Sequence, residues 1–200
     1  MKFIVGVDEV GRGPLAGPVS VGLVSIKIEN KKNDIPLELK KFFTEARDSK
    51  KLSAKKREEI FTKIKEAKKS GILRYIVRYE SPKVVDKKGI NFAIRVCIKK
   101  CLKELKVNPK KTLVLLDGGL RAPSEFIFQK TIIGGDDKKK IISLASIVAK
   151  VSRDRLMCRL AKKFPKYGFE LHKGYGTMNH LKAIKRYGLS SIHRKSFSRD

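Results

Sequence analysis

The chain has 200 residues, of which 41% are hydrophobic, enough for one domain with a real core and too apolar for a disordered chain. Lys and Arg number 48 against 20 Asp and Glu, a formal charge of +28, so a polyanion is the first partner to consider, although charge alone does not separate nucleic acid from a membrane surface. No apolar run approaches the ~20 residues that span a bilayer and the N-terminus lacks the pattern of a signal peptide, which points to a cytoplasmic protein without a membrane partner.

The first apolar run, Phe3 to Val7, leads into adjacent carboxylates, Asp8 and Glu9, followed by a loop with Gly11, Gly13 and Gly17 around Arg12. A second apolar run, Val19 to Ile28, follows, so this reads as strand, acidic end, glycine turn, strand. Side chains alternate along a strand, so Asp8 and Glu9 serve one site only if the strand ends or bulges there, and the glycines after Glu9 permit that break. Residues 29–41 are polar, with a turn signal at Asn33, Asp34 and Pro36, and read as a surface connection. Ser53 is positioned to cap a helix whose apolar face is Ile60, Phe61, Ile64 and Ala67, with Gly71 past its end and Lys63 to Lys69 on its wet face. Ile72 to Tyr79 alternates as a strand, and Gly89 to Leu105 carries a helical stripe that includes Cys97 and Cys101. With Cys158 the cysteines are odd in number and contain no Cys-x-x-Cys pair. Cys97 and Cys101 are expected to be buried core thiols, and neither a disulfide framework nor a zinc site is indicated.

Leu113 to Leu116 reads as a buried strand ending in Asp117-Gly118, and residues 126–133 as another, ending in Gly134-Gly135-Asp136-Asp137. Ile141 to Phe164 is a long helix that opens with small Ser143, Ala145, Ser146 and Ala149 and is closed by Pro165. A helix through Leu181, Ile184 and Tyr187 is closed by Gly188. One α/β domain over residues 1–200, with a small helical C-terminal extension from about residue 165, is the simplest account, and nothing in the pattern requires more than a monomer.

Three apolar runs end in acid beside glycine: Asp8 and Glu9, Asp117, and Asp136. Such turns are common singly, yet on so basic a chain three together need a reason. On neighbouring strands the carboxylates would converge and repel unless a cation lay between them, and hard oxygen ligands suit Mg²⁺ or Mn²⁺. Two such ions ~3.5–4 Å apart can drive an in-line displacement at phosphorus without a histidine base. The basic surface then holds a nucleic acid while the acids hold metal. A basic nucleic-acid-binding protein without activity is the competing reading, and it has no use for the acids.

The motifs Asp8-Glu-Val-Gly-Arg-Gly-Pro, Asp48-Ser-Lys-Lys-Leu-Ser, Asp117-Gly, Gly135-Asp136, Ala145-Ser-Ile-Val-Ala-Lys-Val-Ser-Arg-Asp154, His172-Lys-Gly-Tyr-Gly-Thr and His193-Arg-Lys-Ser-Phe197 together resemble the ribonuclease HII family, in that family's order and over nearly the whole chain. The resemblance implies a ribonuclease H-like fold, a central mixed β-sheet flanked by helices. It implies that Asp8, Glu9, Asp117 and Asp136 are catalytic and bind divalent metal, two ions when substrate is bound. It further implies that Gly11, Arg12 and Gly13 recognise the 2′-hydroxyl and phosphates at an RNA-to-DNA junction and that Tyr175 stacks on the sugar beyond it. The implied substrates are RNA–DNA hybrids and duplex DNA with single ribonucleotides, cut on the 5′ side of the ribonucleotide. An enzyme confined to continuous hybrids is a variant of this reading. Lys50 is expected to touch phosphate. The family's Lys-Gly-Asp is replaced here by Gly134-Gly135-Asp136, and Asp137 beside it leaves two registers, of which counting back from Ser143 favours Asp136. The family's N-terminal extension in ribonuclease HIII and the longer archaeal tail have no counterpart, as expected of a compact bacterial-type enzyme. Asp154 is expected to be a salt-bridging helix residue. His172, His180 and His193 lack metal spacing and are expected to make structural or nucleic-acid contacts.

Overall fold

Antiparallel pairing of β1 (Phe3–Val10) with β2 (Val19–Lys27) is the centre of the architecture, seen in a computed structural model that describes residues 1–28 and 52–198. The expected surface connection at 29–41, most of the Asp48-Ser-Lys-Lys motif, and Lys50 and Lys51 lie outside the described residues. In order follow α1 (Ala54–Lys69), β3 (Leu73–Glu80), α2 (Pro82–Lys88), α3 (Ile90–Leu105), β4 (Thr112–Asp117), β5 (Gln129–Ile132), α4 (Gly135–Lys138), α5 (Lys140–Lys163), α6 (Phe169–His172) and α7 (Met178–Tyr187). The sheet order is β3-β2-β1-β4-β5, with β4 parallel to both β1 and β5 and the other neighbours antiparallel, so the sheet is mixed.

Both faces of the sheet are covered, which is why its central strands read as nearly unbroken apolar runs. Val5, Val7, Val19, Val21 and Leu23 face α3, where Ile94, Cys97, Ile98, Cys101, Leu102 and Leu105 are buried. Burial of the thiols pushes Cys97 and Cys101 up to about 12, as inert core groups. Val24 and Ile26 face α1 and α5 on the other side. Two strand glycines set how close α5 lies. A Cβ on Gly6 would sit 2.3 Å from Ile141 O and one on Gly22 2.4 Å from Ala145 O, so the helix backbone rests on the sheet. The small residues at the start of α5 serve the same approach. Ser53 caps α1 by accepting from Lys56 N at 3.2 Å, and Ile60, Phe61, Ile64 and Ala67 are its buried face.

Two local expectations are revised and one helix is added. β1 does not break at Asp8 and Glu9: it stays paired with β2 as far as Val10 and Ser20, and only its partnership with β4 ends, at Val7 and Leu116. The helix at 90–105 is preceded by a separate one, α2, capped by Ser81 and divided from α3 by Gly89 at φ +83. The strand expected over 126–133 shrinks to Gln129–Ile132. There the Gln129 side chain bonds Ala122 N, Ala122 O and Phe126 O and holds 122–126 as a turn, which the apolarity of Phe126, Ile127 and Phe128 does not reveal. Among the described residues no helix is long and apolar enough to cross a membrane.

Candidate active site

The parallel strands β1 and β4 end on the same edge of the sheet, and this brings three acids together. Asp8, Glu9 and Asp117 line one cleft of about 410 Å³ with Gly11, Arg12, Gly13, Ser146, Lys150 and Tyr175. Asp8 is 3% exposed and points to the α5 side, where Ser146 bonds its carboxylate. Its acidity is held well above the usual carboxylate range, first by burial and then by the charges of Glu9 and Asp117. Glu9 turns to the α3 side, so the two acids leave opposite faces of β1 and share a site because both border the cleft at the end of the strand. Its Oε1 accepts from Arg12 Nη1 at 3.1 Å, while its Oε2 is buried without a partner. Arg12 also donates to Asn91 Oδ1 at 2.7 Å, a contact with α3 that sequence reading did not find.

Asp117 Oδ1 accepts from Gly135 N at 2.6 Å. That bond draws the short helix α4 against the end of β4, and Asp136, the next residue, is 1% exposed while Asp137 is exposed. Asp136 is outside the lining of the cleft. Among the described residues no three His, Cys, Asp or Glu side chains already close around one point, because the carboxylates are turned to Glu9 N, Arg12 and Gly135 N. The donor set nonetheless fits a hard divalent cation. A buried oxygen lacks a partner, and three clustered carboxylates repel one another on an otherwise strongly basic chain.

The glycine loop owes its shape to two buried arginines. Arg153 on α5 donates to Pro18 O at 2.9 Å, Ala16 O at 3.2 Å and Lys173 O at 3.0 Å. Arg194 in the tail donates to Gly17 O at 3.0 Å, Arg12 O at 2.9 Å and Gly11 O at 2.7 Å. Both are 0% exposed, and burial lowers both guanidinium pKa values, Arg194 to about 10 with Arg153 adding to the effect. With the loop carbonyls turned inward to these forks, the amides of Gly11, Arg12 and Gly13 donate to no protein acceptor among the described residues. Both arginines stand inside motifs visible in the sequence, but a basic residue on so basic a chain gives no sign of being buried.

The two glycines at the loop's mouth differ. Gly11, at φ +93, has Arg153 Nε 2.4 Å from where a Cβ would stand, whereas Gly13 faces open space. The tail segment closes the far side: Leu15 N donates to Gly174 O at 2.8 Å, which seats Tyr175 beside the loop. Tyr175 is 41% exposed, with Lys150 Nζ 5.8 Å from its ring centroid. Lys150 in turn pairs with Asp154 at 2.9 Å. Arg57 lines the cleft as well, anchored to Leu52 O, and was not anticipated.

The profile described as Ribonuclease HII matches residues 5–200. Ribonuclease HII of Caldicellulosiruptor bescii is 43% identical over 196 residues, covering 98% of this chain and 86% of the relative. Ribonuclease HII of Pelagibacter ubique is 41% identical over 198 residues, covering 99% and 97%. Among solved structures, RNase HII in the PCNA:RNase HII complex from Archaeoglobus fulgidus is similar with a TM-score of 0.76 at 25% identity, over 99% of this chain and 96% of that one. Ribonuclease H2 from Pyrococcus horikoshii gives 0.72 at 27%, over 97% and 93%. Bst-RNase HIII, solved in complex with Mn²⁺, shares the fold with a TM-score of 0.73 at 19% identity, over 98% and 67%. A mixed sheet that brings acids to one edge, a glycine loop beside them, and relatives over 40% identical along nearly the full length lead to one conclusion: the chain belongs to the ribonuclease HII family of metal-dependent endonucleases.

Proposed function

We propose that this chain hydrolyses the phosphodiester on the 5′ side of ribonucleotides, both in RNA–DNA hybrids and at single ribonucleotides embedded in duplex DNA, leaving 3′-hydroxyl and 5′-phosphate ends. Its role is then the removal of ribonucleotides from DNA in the cytoplasm, by a monomeric catalytic domain whose segment from about residue 165 presents Tyr175. The observation that carries this reading is the meeting of Asp8, Glu9 and Asp117 with Gly11–Gly13 and Tyr175 on one cleft. Asp8, Glu9, Asp117 and Asp136 would hold Mg²⁺ or Mn²⁺, and a bound pair supplies an activated water and neutralises the departing oxygen.

The remaining work falls to the chain itself. Loop amides with no protein acceptor and, at Gly13, no side chain in front of them are suited to approach a sugar-phosphate closely. A 2′-hydroxyl accepts as well as donates, and it is what separates RNA from DNA at one position. Arg12, held between Glu9 and Asn91, keeps its guanidinium beside that loop, and Lys150 adds a second cation on the α5 wall. The exposed ring of Tyr175 offers a face to the sugar beyond the junction. We assign Lys50 to a phosphate contact on its sequence motif alone.

A labelled DNA duplex with one ribonucleotide, incubated with Mg²⁺, Mn²⁺ or chelator beside an all-DNA control, tests the reading. Metal-dependent incision 5′ of the ribonucleotide is expected. Binding of the duplex without incision in either metal would remove the catalytic assignment.

A further inference from the structure

Behind Tyr175, three histidines contact one another in the tail. His172 and His180 stack at 4.4 Å between centroids, and His180 Nε2 lies 3.0 Å from His193 Nε2. His180 and His193 are 0% and 3% exposed. Their partners fix where each proton sits. Tyr175 O, 2.9 Å from His180 Nδ1, can only accept, so His180 carries its proton on Nδ1 and its Nε2 is bare. That bare nitrogen must then accept from His193 Nε2–H. His193 Nδ1 is left to accept from Ser190 N at 2.9 Å and Ser190 Oγ at 2.8 Å. On the other side, His172 Nε2–H donates to Tyr167 O at 2.8 Å and its Nδ1 accepts from Gly174 N at 3.2 Å.

Each of the six ring nitrogens therefore has a partner of the right kind, and an added proton would set two donors face to face. Two members of this network grip adjacent residues, His172 the amide of Gly174 and His180 the carbonyl of Tyr175, on either side of the peptide that joins them. The Gly174 carbonyl holds Leu15 N of the glycine loop, so the histidines act on the position of Tyr175 relative to that loop.

We propose that His172, His180 and His193 are positioning residues, a relay of neutral imidazoles that sets the Tyr175 backbone so that its ring meets the sugar at an RNA-to-DNA junction. The relay rests on the assignment of Tyr175 given above and extends it. None of the three touches the cleft, so their effect on substrate passes through Tyr175.

The test compares kcat/KM on a duplex with one ribonucleotide and on a continuous RNA–DNA hybrid, the ratio cancelling effects on chemistry common to both. His180→Leu removes the donor to Tyr175 O and is expected to lower the ratio roughly tenfold, within the range for losing one aromatic stack. His180→Asn, which keeps an N–H near the position of Nδ1, should restore most of it. In a Tyr175→Ala background His180→Leu should lower the ratio no further. The relay is overturned if Tyr175→Ala lowers the ratio and His180→Leu does not, or if His180→Leu lowers it equally without Tyr175. If Tyr175→Ala itself leaves the ratio unchanged, the assignment of Tyr175 falls first, a different result. ¹⁵N spectra of the wild-type imidazoles give a check that needs no variant to fold: Nδ1–H on His180 and Nε2–H on His172 and His193 are expected, and any other tautomer or a charged ring at pH 7 overturns the relay.

Discussion

Asp8 is penalised twice, by removal from water and by the charges of Glu9 and Asp117, with only Ser146 and the Glu9 amide in compensation. Asp8→Asn should therefore abolish incision while leaving duplex binding nearly intact, since the basic surface is unchanged. It should also raise the melting temperature in chelator, because a buried repulsion is lost, and reduce the stabilisation that added Mn²⁺ gives the wild type. Retained turnover, or an equal response to Mn²⁺, would remove Asp8 from the metal site. Gly11 and Gly13 look equivalent in sequence and are not. Gly11→Ala drives a Cβ to 2.4 Å from Arg153 Nε at φ +93, and a loss of ~2 kcal/mol or more is expected by denaturant titration. Gly13→Ala meets nothing within 4 Å, so its melting temperature should hold while KM for the ribonucleotide duplex rises. An unchanged KM would mean that no substrate backbone approaches there.

At the scale of elements, the loop between β1 and β2 is held from α5 and from the tail rather than by its own turn chemistry. Arg194→Lys tests this: one ammonium cannot copy a planar fork that reaches Gly17, Arg12 and Gly11, so two carbonyls are left short of a donor. A loss of about 2–4 kcal/mol is expected in thermal or urea unfolding, with incision falling more steeply than hydrophobic core variants of equal stability. A variant as stable and active as wild type would show that the loop holds its shape alone. The helices and central strands were legible because their signals are local. Ser53, the stripe of α1 and the small residues of α5 each announce their role within a few residues. The short β5 and the separate α2 were not, since apolarity over 126–128 is equally consistent with a strand and a turn, and α2, at seven residues, is too short to show a helical stripe.

The whole molecule sets its large positive charge against a small acidic centre, and basic clefts continue from the site on both sides. One is lined by Arg57, Arg155, Arg159 and Lys162, the other by Arg12, Arg95 and Arg121. Under the proposed function, a duplex would find cations along its length and carboxylates at one place. The tail adds a dependence on pH. Burial lowers His180 and, more strongly, His193, to about 4 from an ordinary 6.5. The charged groups at the His193 mouth are Lys83, Asp86, Lys87 and Lys195, and Lys173 and Arg194 follow His172 and His193 directly in the chain. Between these values the unfolded chain binds more protons than the folded one, so this stabilisation is complete above pH 6.5 and is lost as pH falls toward 4. Melting temperature should drop between pH 7.5 and 5, and His193→Gln should flatten that slope; an unchanged slope would show that the cluster does not titrate with folding. By itself the sequence determined the two-faced sheet, most of the helices, the acids Asp8, Glu9 and Asp117 at strand ends, though not the place of Asp136 on α4, and, through the order of its motifs, the family, because each is written in neighbouring residues or in a pattern along the chain. Only the tertiary structure decided that Arg153 and Arg194 are buried, that Gly11 and Gly13 part company and that three histidines join into one network. Those outcomes depend on partners as far as 183 residues away, and in sequence a buried cation on a +28 chain looks like every solvated one.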